Sequence, residues 1–356
     1  MPDGRAEIPV QDQPAEALEP SILREALIRR LYRRSVAQGE IRVPAVPSLI
    51  DEYVLLCANI CATLNVWHTP EQSAHLRVAL QAELAKAFEA SCRSEIVISF
   101  SAPFGQGVTF RVRGDWRTIE ADYDQWVATR QAPLFGTEAD ARVISLAGQA
   151  DDPAAYRILD VGAGTGRNAL ALARRGHPVD AIEPAPKFAH AIRAGAERES
   201  LAVRVIQSNV FTAMEGVHDE YQLMVLAEVV SDFRTTHELR GLFELAARCV
   251  APGGHLVFNS FLPRQGHLLD IATLEFGQQC NTMVFTRDEV TTAAAGLPLE
   301  LVGDDLATEY EKAHLPEGAW PPTGWFEGWA NGLDVFDVEP DDSPIELRWL
   351  VFRKSV

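Results

Sequence analysis

Asp160, Gly162, Gly164 and Gly166, with Glu183 standing 23 residues after Asp160, are the residues whose types and spacing could do chemistry. They lie in RILDVGAGTGRNALALARRG (157–176) and PVDAIEP (178–184). Three closely spaced glycines let a backbone turn tightly and approach a ligand at short range. Ile158 and Leu159 before them read as the end of a strand, and Asn168 to Arg175 after them as a helix. Strand, glycine turn and helix N-terminus together describe a nucleotide-type site at the crevice of a doubly wound sheet. A dinucleotide turn reads GxGxxG, its third glycine allowing close packing under a pyrophosphate. Here the spacing is GxGxG, and bulky Arg167 stands where that glycine would be. No GK[ST] follows, which excludes a Walker-type phosphate loop.

The carboxylate of Asp160 would repel a pyrophosphate and attract an ammonium group. S-adenosylmethionine has no phosphate and carries an α-ammonium, so charge favours it. Glu183, at the tip of the next strand, can accept hydrogen bonds from both hydroxyls of a ribose. NAD enzymes use the same device, so Glu183 alone does not discriminate.

Four motifs follow in order: LDVGAGTG (159–166), VDAIEP (179–184), VRVIQSNVF (203–211) and LAARCVAPGGHLVF (245–258). As an ordered set, over Tyr156 to about Phe261, they resemble the class I S-adenosylmethionine-dependent methyltransferases of the small-molecule type 11/12 group. The resemblance implies a Rossmann-like, seven-stranded, mostly parallel sheet and S-adenosyl-L-methionine as cofactor. It assigns Asp160 and the backbone of Gly162, Ala163, Gly164, Thr165 and Gly166, with Asn168, to the methionine moiety. It gives Glu183 to the ribose and Pro184 to the adenine. The tip of the third strand, usually an aspartate on the adenine amine, is here Asn209 with Val210 beside it. LMVLAEVVSDF (223–233) fits the fourth strand, placing Ala227 and Glu228 at the reactive end. In related enzymes a helix upstream of the core folds over the cofactor, which makes Tyr123 and Arg130 candidates for its carboxylate.

Methyl transfer is an in-line displacement that depends on alignment in a water-poor pocket, and a base is needed only when the nucleophile arrives protonated. Asp232 and His267 are the candidate catalytic groups. Asp232 reads equally as a helix cap or surface acid, and His267 as a loop histidine. Trp126, Ser231, Trp325 and Trp329 are candidate acceptor contacts, since aromatic walls can enclose an apolar acceptor or stack on a cation. Core packing for Trp126 and hydrophobic anchoring for Trp325 and Trp329 remain open. No metal site is expected.

These residues need elements to hold them. Strands are predicted at 157–161, 178–183, 203–207, 222–227 and 254–260, with helices beginning near 166, 186, 211 and 236, the alternation of parallel βαβ units. LELVGDDL and IELRWLVFRK read as two more strands bracketing a Trp-rich insertion at about 308–343. Residues 1–20 are expected to be a disordered leader, and 21–117 a domain of helices plus a β-hairpin (EIVISFSAP, GVTFRVRG). The methyltransferase domain would occupy 118–356, opening with the helix TIEADYDQWVATRQAPLF and a second, EADARVISLAGQA.

With a net charge of −18, a polyanionic partner is disfavoured, so no nucleic acid is expected. No apolar run reaches the roughly 18 residues of a membrane span. Five cysteines without a CxxC pair read as free thiols in a reducing cytoplasm, and the excess of Arg over Lys points to a bacterial source. The expected activity is methyl transfer to a small-molecule acceptor. The alternatives are a protein-modifying methyltransferase and a non-catalytic cofactor-binding module. The N-terminal helices are a candidate homodimer contact.

Overall fold

A computed structural model describes residues 19–32, 34–104, 106–116, 128–129, 133–209 and 216–356. The chain divides into two compact units: Met1–Arg42, Ile50–Gln81 and Val97–Arg113 in one, and Val43–Leu49, Ala82–Ile96 and Gly114–Val356 in the other.

The N-terminal segments form α1 (Pro20–Tyr32), β1 (Ala37–Pro44), α2 (Ile50–Thr63), α3 (Pro70–Ala90), β2 (Glu95–Ala102) and β3 (Thr109–Asp115). The expected hairpin is present as β2 and β3, in a sheet of order β1-β2-β3. Within the segment expected to hold helices plus a hairpin, AQGEIRVP adds a further strand, β1. A Cβ at Gly39 would stand 2.7 Å from the outer edge of the Phe100 ring, so the strand passes close to that side chain. α3 starts where its sequence says. The Thr69 Oγ1 accepts from the Gln72 N–H at 3.2 Å, and the Gln72 Oε1 accepts from the Thr69 N–H at 2.8 Å. Cys57 and Cys61 turn inward from one face of α2, and burial pushes the Cys57 thiol up to about 12.

The second unit is the α/β body. In chain order it contains α4 (Ala141–Ala147), β4 (Ile158–Val161), α5 (Arg167–Arg174), β5 (Val179–Ile182), α6 (Pro186–Glu199), β6 (Val203–Ile206), β7 (Tyr221–Leu226) and α7 (Thr236–Cys249). Then come β8 (Val250–Pro263), α8 (Ile271–Gln279), α9 (Arg287–Ala294), β9 (Leu299–Leu306), α10 (Ala307–His314), α11 (Phe326–Ala330) and β10 (Ile345–Lys354). The helix expected within 138–150 is shorter, as α4, and the one expected from 118 to 135 lies mostly outside the described residues. So does the start of the helix expected near 211.

Seven strands pair in the order β6-β5-β4-β7-β8-β10-β9. β4, β5, β6, β7 and β8 run parallel, while β10 is antiparallel to both β8 and β9. Chain direction across the sheet switches between β4 and β7, which is where an open α/β sheet leaves a crevice at its carboxyl edge. β4 and β5 are buried along their whole length, as a parallel strand covered on both faces must be. Alternate side chains divide the core: Leu159, Met224, Leu226 and Phe258 join one cluster, Ile158, Leu223, Val225 and Val257 the other. Asp160 is the exception in β4, a carboxylate at an otherwise apolar position, 2 % exposed.

Candidate active site

The glycine turn at the end of β4 is tied to its neighbour before any ligand is considered. The N–H groups of Gly162 and Ala163 both donate to the Ile182 carbonyl, at 2.8 and 3.0 Å. Gly162, Gly164 and Gly166 all have positive φ (70°, 55° and 91°), the left-handed region that glycine enters without a Cβ penalty. A Cβ on Gly162 would also run into the Val229 side chain. Glu183 reaches across from β5: its carboxylate accepts from the Gly164 N–H at 2.8 Å and from the Ala185 N–H at 2.7 Å. Burial nevertheless raises its pKa, those two bonds offsetting only part of the cost.

Asp160 behaves differently. One oxygen, Oδ2, is buried and has no hydrogen-bond partner among the described residues. Burial pushes this carboxyl up to about 7, with nearby Asp140 adding to the rise and Arg167 opposing it. An unsatisfied buried acceptor at the lip of a glycine turn is a costly arrangement that a positively charged hydrogen-bond donor relieves.

Turn and carboxylates open onto a cavity of about 840 Å³, a size typical of small-molecule sites. Among the residues named from sequence, Asp160, Gly162, Ala163, Gly164, Thr165, Asn168, Glu183, Pro184, Asn209, Ala227, Glu228, Ser231, Asp232, Trp325 and Trp329 all line it. Gly166 does not; it is the left-handed cap of α5. His267 stands exposed in the turn after β8, also outside the lining. Tyr123, Trp126, Arg130 and Val210 lie outside the described residues.

Several lining residues carry no sequence signal. Arg93 pairs with Asp232 at 3.1 Å. Phe135 and Phe188 meet edge to face at 5.5 Å beside the glycine turn. Phe276, Cys280 and Asn281 line the cavity as well, together with Trp325 and Trp329, whose rings sit 5.8 Å apart at 74°. The two tryptophans are anchored at their polar edges, Trp325 Nε1–H donating to the Leu134 carbonyl and Trp329 Nε1–H to that of Asn281. These contributions come from segments far apart in the chain, without fixed spacing, so pattern reading does not find them.

Arg167, bulky where a dinucleotide site would need glycine, is the residue that the turn is built around. Its guanidinium is 8 % exposed and bridges Asp140 at 2.6 Å and Glu228 at 2.7 Å. Asp140 in turn exchanges two hydrogen bonds with Asn168, at 3.0 and 2.8 Å.

A family profile described as a methyltransferase domain matches residues 158–254, from the first residue of β4 into β8. Residues 158–254 are a methyltransferase domain. S-adenosylmethionine is the cofactor of that kind of domain. No curated protein sequence matches the chain. Among solved structures it is similar to geranyl diphosphate C-methyltransferase from Streptomyces coelicolor A3(2), at 18 % identity over 60 % of this chain and 78 % of that one, TM-score 0.43. It is similar to the [4+2]-cyclase SpnF at 15 % identity, over 66 % of this chain and 91 % of that one, TM-score 0.45. A StiE O-MT fragment is 16 % identical over 61 % of this chain and 74 % of its own length, TM-score 0.42.

Proposed function

We propose that this methyltransferase domain moves the sulfonium methyl of S-adenosylmethionine to a small organic acceptor. The observation that carries the reading is the buried oxygen of Asp160 without a partner among the described residues, in a residue that lines the same cavity as the glycine turn and Glu183. The residues fit the cofactor: Asp160 offers an acceptor to the α-ammonium, and the turn has room only for backbone. Each Glu183 oxygen, after accepting one backbone N–H, keeps a lone pair for a ribose hydroxyl. When bound, the cofactor supplies an electrophilic methyl group. The chain aligns it with a nucleophile and excludes water, and Phe276, Trp325 and Trp329 give the acceptor's end an aromatic wall.

Buried free thiols at Cys57, Cys61, Cys92 and Cys249 support a reducing, cytoplasmic setting. Calorimetry and thermal melting with S-adenosylmethionine and with its demethylated product test the proposal directly. Micromolar binding of both is expected, and at about 100 times Kd each ligand should stabilise the protein by roughly 2.7 kcal/mol. No heat and no shift in Tm with either ligand would overturn it.

A further inference from the structure

One guanidinium serves two buried carboxylates at the reactive end of this site. Arg167 holds Asp140 and Glu228 at 2.6 and 2.7 Å, and the two acid side chains are only 4 % and 14 % exposed. A single cation cannot neutralise both in a medium of low dielectric. Glu228 is also held in a conformation few non-glycine residues adopt, φ 60°, its N–H donating to the buried Asn259 Oδ1 at 2.7 Å. So placed, it lines the cavity at the end of β7, the strand next to the one that carries Asp160.

We propose that Glu228 is the proton-exchanging group of this site, protonated while the cavity is empty and ionised when a sulfonium ligand enters. This rests on the methyl-transfer reading above. As a carboxylate positioned by Arg167, Glu228 then takes the proton the acceptor loses. The acceptor's lone pair forms the bond to the methyl carbon. The electrons of the breaking carbon–sulfur bond stay on sulfur, which becomes a neutral thioether, and the acceptor's proton passes to Glu228. One positive and one negative charge vanish together, so the balance closes without a further reagent.

The surroundings of Glu228 favour it over the other acids. Arg167 and Asn168 face the pair from α5, Asp140 from the cap of α4, Asp160 from β4 and Asp232 from the turn after β7. Burial pushes Glu228 up to about 7, Arg167 pulling down and Asp140 and Asp232 pushing up. Asp232 has its own cation in Arg93. Glu311, beyond Asp140, accepts from the N–H groups of Ala141 and Arg142 and from the Trp349 indole, and is not part of the cavity lining.

Calorimetry in phosphate and in Tris, buffers of different ionisation heat, counts the protons exchanged on binding. S-adenosylmethionine should release more protons than its demethylated product near pH 7. The product-to-substrate ratio of Kd should rise with pH, by up to about tenfold per unit below 7, and flatten above. Glu228→Gln should make that ratio independent of pH. Asp140→Asn, by leaving Arg167 to Glu228 alone, should move the bend to lower pH, and it serves as the second variant if E228Q does not fold. Asp232→Asn should keep the slope. A pH-independent ratio in the wild type, a slope that survives E228Q, or a slope abolished by D232N instead would overturn the proposal while leaving the cofactor reading intact. Failure of both ligands to bind would instead sink that reading.

Discussion

Asp160 and Glu183 are both buried acids at the tips of neighbouring strands, yet the structure uses them differently. Glu183 fastens the glycine turn through two backbone N–H groups, whereas Asp160 leaves an oxygen free. Losing a charge-assisted hydrogen bond costs about 1.5–3 kcal/mol, or about tenfold or more in Kd. Asp160→Ala should therefore weaken binding of the cofactor and its product by at least that factor with little loss of Tm, because its Oδ2 has no partner among the described residues and the carboxyl's backbone bond is to the Ala169 N–H. Glu183→Ala should weaken binding similarly and also lower Tm, since Gly164 and Ala185 lose their acceptor. Titration calorimetry beside thermal melting separates the two, and a large loss of Tm in D160A would contradict this account. Both acids were legible in sequence because their chemistry is local: an acid before glycines, and an acid at the next strand tip. Arg167 showed only as a misfit, since its meaning depends on Asp140 and Glu228, which no spacing rule connects to it. His267 shows the opposite failure, a plausible residue type after the right strand that the turn leaves in solvent outside the cavity.

At the scale of elements, the parallel strands were the most legible part. Four-residue runs such as ILDV and VDAI are buried on both faces, and their ends match the sequence expectation to within a residue. β8 runs longer than expected, Val250–Pro263 against 254–260, because it pairs with β7 on one side and β10 on the other. β1 was hidden by its alternation, which sets few residues inward, and by flanks that read as helix. Two helix starts are fixed by capping boxes. Thr235 and Glu238 form a reciprocal box at α7, and Thr286 and Glu289 another at α9. Thr235→Ala should cost about 1 kcal/mol. In a body of this size that lowers Tm by roughly 2–4 °C. Gly162→Ala should be worse and should also impair cofactor binding, since it combines a positive φ with a clash against Val229. If G162A melted and bound like the wild type, the close approach at the turn would not matter to the site.

Across the whole molecule, the buried acids around Arg167 should tie stability to pH in an unusual direction. Asp160, Glu228 and Glu311 are each pushed up to about 7 by burial, against about 4 in an unfolded chain. Between those values the folded protein holds more protons than the unfolded one, so stability falls as pH rises from about 4.5 to 7 and levels off above. Asp180 works the other way. Burial raises it, but hydrogen bonds from Arg204 and Tyr221 leave it below the usual carboxylate range. Its contribution is lost only as pH drops below about 4, outside the window. The ligand-free protein should therefore melt at a higher temperature at pH 5.5 than at pH 7.5. The net charge of −18 would produce the same trend through surface repulsion, but about 1 M salt shortens the screening length to about 3 Å and removes most of that effect. The buried cluster is screened far less, so the difference should persist in salt. Glu228→Gln should narrow the gap and raise Tm at pH 7.5, where the wild type carries the uncompensated charge. Saturating S-adenosylmethionine should narrow it as well, the ligand's cation replacing the proton. A ligand-free Tm that is flat or rising from pH 5.5 to 7.5 in high salt would mean the carboxylates stay ionised, with Arg167 sufficient for them all.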